Sequence, residues 1–189
     1  MMTRFVAIFF FIAFAVPLAA ETYEVRRPYS NIGFSIMKWS VLKEEGVFRA
    51  FDGTLQYDAV HPERSRIDVV ARAASVDTGH EGRDHALRSD DFLDVDRYPT
   101  LEFHSRAIEG NFVSGDLTIH GVTKRVRFPV TSLGVRDVPK VGKLAGFETS
   151  FTINRRDFGV LGARWGAVPG ILDDDVHVHI IIGAIQEAK

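Results

Sequence analysis

The chain has 189 residues, with 23 Lys+Arg against 25 Asp+Glu, seven His, fifteen Phe and no Cys. These proportions exclude a disordered, collagen-like or disulfide-stapled chain. A net charge of -2 gives no reason to expect a strongly basic nucleic-acid binder, which needs a clustered cationic face.

The first predicted element is a leader. Phe5 to Val16 are twelve consecutive apolar positions, preceded by Arg4 and followed by Pro17-Leu18-Ala19-Ala20 before the polar Glu21. That is the layout of a secretory signal peptide. As a helix the run spans about 18 Å, short of the ~30 Å hydrocarbon core of a bilayer. Cleavage after Ala20 leaves Leu18 where a small residue is preferred. With no Cys there is no lipoprotein acylation site, so the expected location is the periplasm, as one domain over residues 21–189.

From Thr22 onward the dominant signal is period-2 alternation, the mark of half-buried strands. Ile32, Phe34 and Ile36 oppose Gly33, Ser35 and Met37. Val47 to Phe51 and Thr54 to Asp58 flank Asp52-Gly53, a strong short hairpin signal. Further strands are expected over Arg66 to Arg72, Thr100 to Ile108, Asn111 to His120, Lys124 to Leu133, Leu144 to Ile153 and Val176 to Gln186. Within the last, Val176, Val178, Ile180, Ile182 and Ala184 form one apolar face. The segment from Val76 to Pro99 breaks the rhythm: a short helix is expected at Arg83 to Leu93, and the segment is expected to cap one end of the sheet. This pattern predicts an all-β protein, an antiparallel barrel or sandwich.

Eight of the ten Phe beyond the leader fall on expected strands: Phe34, Phe48, Phe51, Phe103, Phe112, Phe128, Phe147 and Phe151. A small barrel is either filled by such side chains or holds one ligand, and composition leaves both open. A hollow interior would suit a long apolar ligand, since each buried methylene contributes about 0.8 kcal/mol.

Three segments carry a family resemblance. Arg83-Asp84-His85-Ala86-Leu87-Arg88-Ser89-Asp90-Asp91-Phe92-Leu93-Asp94, running on to Tyr98-Pro99-Thr100-Leu101-Glu102-Phe103, resembles the first signature of the YceI-like family of polyisoprenoid-binding proteins. Gly115-Asp116-Leu117-Thr118-Ile119-His120-Gly121-Val122-Thr123 is similar to its second, and Ile153-Asn154-Arg155-Arg156-Asp157-Phe158-Gly159 to its third. The resemblance implies an extended, lipocalin-like antiparallel β-barrel with a short helical cap, periplasmic, enclosing an apolar channel for an isoprenoid, quinone-type or fatty-acid-derived lipid, with no catalytic residue and no cofactor. Members commonly carry His at the positions of Lys38 and Ala86. Lys38 is therefore expected to favour an anionic head group.

The expected apolar channel residues are Phe34, Ile36, Phe103 and Phe128, with Phe147, Phe151 and Ile180. Lys38, Arg83, Arg88, Arg155 and Arg164 are the head-group candidates; structural ion pairs of Arg83, Arg88, Arg155 and Arg156 with Asp84, Asp90 or Asp157 are the competing expectation. His177 and His179 share a strand face at metal-pair spacing, but on the side opposite the apolar set, which reads as exposed. The aspartates at 90, 91, 94 and 96 lack EF-hand spacing, and no Gly-x-Ser-x-Gly element is present. The sequence thus predicts a non-enzymatic lipid carrier without metal or nucleic-acid partner, with a homodimer open. A ligand-free, stress-protective envelope protein is the first alternative and a metal-dependent enzyme the second.

Overall fold

The computed structural model describes residues 20–162 and 170–186, so the expected leader and Arg164 lie outside the described residues. Twelve strands form one antiparallel sheet: β1 (Glu21–Val25), β2 (Asn31–Lys38), β3 (Leu42–Phe48), β4 (Phe51–Tyr57), β5 (Arg66–Arg72), the two-residue β6 (Val76–Asp77), β7 (Thr100–Glu109), β8 (Phe112–Ile119), β9 (Val122–Pro129), β10 (Thr131–Val138), β11 (Gly142–Asn154) and β12 (Leu172–Gln186). Among the described residues one α-helix, α1 (Glu81–Arg88), stands between β6 and β7.

The long strand β12 organises the sheet. It pairs with β11 from Asp175 to Gln186. It also pairs with two strands in succession, β2 from Leu172 to Ile181 and β1 at Ala184 and Ile185. The handover occurs at Gly183, whose N–H donates to Ser30 Oγ (2.9 Å) and whose carbonyl accepts from the Arg26 N–H (2.9 Å). A Cβ at Gly183 would stand 2.5 Å from Tyr29 Cβ, so only glycine lets the Arg27–Tyr29 turn cross there. One arm then runs β2-β3-β6 and the other β1-β4-β5-β7-β8-β9.

The expectation of a closed β-barrel is overturned: the sheet is not closed. Among the described residues no ladder joins β9 to β11. The reason lies at the end of β9. Pro129 has no N–H to donate, while the Val130 N–H continues the β8 register on the Asn111 carbonyl (2.7 Å) and so faces away from β11. The chain then leaves as β10, which among the described residues pairs with β11 alone. Side chains bridge the seam instead: Thr149 Oγ1 donates to the Pro129 carbonyl (2.6 Å), and the Phe128 and Phe151 rings stack at 4.3 Å with an interplanar angle of 8°.

Two further expectations need correction. Asp52-Gly53 is no hairpin turn but lies inside β4, which pairs with β1 and β5 rather than with β3. A Cβ at Gly53 would meet the Asp68 carbonyl oxygen at 2.7 Å, so glycine serves close strand approach here. The expected strand over Lys124 to Leu133 is two strands, divided at Val130. The helix ends at Arg88 rather than running to Leu93, because Ser89 Oγ donates to the Ala86 carbonyl (2.7 Å) and takes up a terminal acceptor.

If the rings carry the seam, Phe128→Ala and Phe151→Ala should each destabilise the protein, and a double-mutant cycle in urea should give a coupling of about 1 kcal/mol. Strict additivity would show that the stack does not hold the seam.

Candidate functional site

The inner face of the curled sheet does not pack shut. It encloses an apolar cavity of about 1000 Å³, at the upper end of the range for ligand pockets. Period-2 geometry delivers the lining: Phe34 and Ile36 from β2, Val176, Val178, Ile180 and Ile182 from β12, and Phe147 and Phe151 from β11 all face inward. Phe103 and Phe128 complete a wall of three rings, at 5.2 Å from each other, ending on the Phe151 stack. Every expected apolar channel residue therefore lines the cavity. Phe48, Phe92 and Phe158 line it too, whereas Phe51 is core and Phe112 sits under the Arg127 guanidinium, 3.8 Å away.

The cap is tied down by its charged groups. Asp84, nearly buried, accepts from the Thr78 N–H (2.8 Å) and hydroxyl (2.5 Å). Arg83 donates to Thr78 Oγ1 and carbonyl and pairs with Glu44 of β3. Arg88 donates to the Ala74 (2.8 Å) and Val76 (2.7 Å) carbonyls and does not reach the cavity lining. Below the cap, Phe92 and Leu93 close the cavity with buried side chains that the acidic pattern of their segment concealed.

Arg155 lines the cavity yet is 5 % exposed and occupied on every side. It donates to the carbonyls of Asp173 (2.9 Å), Val160 (2.9 Å) and Leu161 (2.5 Å) and pairs with Asp174 at 2.9 Å. Burial pushes its pKa down and the Asp174 charge opposes that shift. Arg156 reaches the same carboxylate at 2.6 Å. These arginines are thus structural, with Glu44 and Asp174 as partners in place of the expected Asp84, Asp90 and Asp157.

Lys38 differs. It continues the inward file of Ile32, Phe34 and Ile36 and lines the cavity. Its ammonium lies 4.4 Å from the Trp39 ring centroid, and among the described residues it has no carboxylate partner.

His177 and His179 are exposed, bonded to Thr152 Oγ1 (2.8 Å) and Glu148 (2.9 Å). His104 pairs with Asp68 at 2.7 Å, which raises its pKa, and β7 is no neighbour of β12. Among the described residues no three His, Cys, Asp or Glu converge as a metal site, and no helix is long and apolar enough to cross a membrane.

Comparison with known proteins decides the family, because the model of the YceI-like domain matches residues 23–184. The chain belongs to the YceI-like family. A UPF0312 protein of Pseudomonas putida (strain W619) is 40% identical over 154 residues, 79% of this chain and 76% of the relative. The crystal structure of Burkholderia cenocepacia BcnA is similar at TM-score 0.75 and 25% identity, covering 84% of this chain and 98% of that one. A polyisoprenoid binding domain from Saccharophagus degradans, implicated in plant cell wall breakdown, shares the fold at TM-score 0.67 and 16% identity, over 88% of this chain and 98% of that one.

The three YceI-like signatures meet at the cap end. Tyr98 of the first packs edge-on against His120 of the second at 4.5 Å, and a Cβ at Gly121 would stand 2.4 Å from the Tyr98 ring. Gly159 of the third, at φ 73, lies against the same His120 ring. The signatures therefore build the cap joint, a role that spacing alone did not reveal.

Arg155→Met should cost about 3 kcal/mol of unfolding free energy in urea, by stranding three carbonyls and Asp174. A loss below about 1 kcal/mol would show that Arg155 is no strut.

Proposed function

We propose that the protein is an exported carrier that holds one amphiphilic lipid in its apolar cavity, a polyisoprenoid being the leading candidate, with no chemical step. The observation that carries the reading is the cavity itself. Protein interiors pack at crystal-like density with few voids larger than a water molecule, so a volume of about 1000 Å³ walled by Phe and aliphatic side chains is space kept for an apolar occupant. Burial of roughly ten methylenes yields about 8 kcal/mol, which lies within the association costs of about 4–15 kcal/mol, and a longer chain exceeds more of that range.

The family membership supports the same reading, as does the polyisoprenoid binding domain among the fold neighbours. Export to the periplasm rests on the apolar run Phe5 to Val16 and the Ala19-Ala20 that follows. The channel would use Phe34, Ile36, Phe103, Phe128, Phe147, Phe151 and Ile180 against the chain.

Organic extracts of protein purified natively from the envelope fraction should contain stoichiometric lipid by mass spectrometry. Ile180→Trp, which fills the cavity, should keep a cooperative thermal transition while losing that lipid. Preparations consistently free of lipid, or undiminished lipid in Ile180→Trp, would count against the carrier.

A further inference from the structure

We infer that the cavity selects an apolar chain ending in a single ionised acid, a carboxylate rather than a diphosphate, and that Lys38 is the counter-charge that makes the selection. The inference rests on the carrier reading and names the head group for it.

The charge inventory of the cavity's capped end is the starting point. Arg83 is committed to Glu44 and Thr78. Arg155 donates to three carbonyls and Asp174. Glu45, also at the lining, is neutralised by Lys43 at 2.6 Å. Among the described residues, what remains uncompensated is the Lys38 ammonium. A diphosphate carries several charges and is held by converging cations or bidentate arginines. Here, among the described residues, no second cation is free to meet a second anionic charge, and the Glu44 carboxylate, opposite Ile36, stands on the same face as Lys38.

The turn after β2 holds Lys38 in readiness. Trp39 (φ 52) and Ser40 (φ 56) both adopt the left-handed backbone, which a bulky Trp enters only at a cost. The Trp39 N–H donates to the Ile171 carbonyl at 2.9 Å, and the Val41 N–H closes the turn on the Lys38 carbonyl at 3.3 Å. This backbone brings the indole beside its neighbour's ammonium. A cation–π contact attracts the charge through the ring face and uses none of the three N–H donors as a hydrogen bond to a carboxylate. The donors remain for an oxyanion arriving at the end of the file Ile32, Phe34, Ile36, Lys38.

The test uses one chain with three head groups. Geranylgeranoic acid, geranylgeraniol and geranylgeranyl diphosphate are titrated calorimetrically into the full mature chain and into Lys38→Met. In the native protein the acid should bind about tenfold tighter than the alcohol and tighter than the diphosphate. In Lys38→Met the acid should fall to the affinity of the alcohol, whose own affinity stays within about twofold and certifies the fold. Equal binding of acid and alcohol in the native protein, a leading diphosphate, or an acid preference that survives in Lys38→Met would each overturn the head-group assignment while leaving the carrier intact. Binding of none of the three would overturn the carrier and the assignment together.

Discussion

The structure depends on how backbone hydrogen bonds are distributed along β12. A strand has two edges, and here one edge is filled by β11 while the other is shared between β2 and β1. Two arms of sheet therefore leave the same edge of one strand, which forces the surface to fold over on itself. Much of the inner face is consequently apolar, because β2, β11 and β12 each turn one parity of Phe and aliphatic side chains toward it. Gly183 makes the division sterically possible.

Enclosure and closure are separate achievements in this molecule. Most of the wall is held by ladder hydrogen bonds, each fixed in length and direction, whereas the seam between β9 and β11 is held by stacked rings and one hydroxyl. At the capped end, charge does the fastening: Asp84, Arg83, Arg88 and Arg155 each satisfy backbone or carboxylate partners that a mobile cap would leave to water. Aromatic side chains thus border the cavity, and ionic ones secure its end, with Lys38 as the exception.

Much of this was legible from periodicity. The strand over Arg66 to Arg72 has the predicted limits, and the apolar parity of β12 lines the cavity as alternation required. Closure was not legible, because an open and a closed sheet share the same alternation and differ only in what the last edge meets, here Pro129 with no N–H to offer. Asp52-Gly53 misled because the dipeptide that favours a tight turn also permits a close strand crossing. The fate of the arginines was hidden for a related reason: Glu44 lies 39 residues from Arg83, and Asp174 lies 19 from Arg155, distances at which sequence gives no pairing rule. Lys38, by contrast, could be placed from its register with Phe34 and Ile36 alone.

In a closed barrel, strand number and stagger together dictate the radius, so the bore comes in discrete sizes. A wall with one side-chain joint escapes that arithmetic. A shift of the Phe128 ring along Phe151 would break no ladder hydrogen bond, because among the described residues none joins β9 to β11. The girth at that joint therefore rests on side-chain contact, whereas the length of the wall along β12 rests on ladder hydrogen bonds.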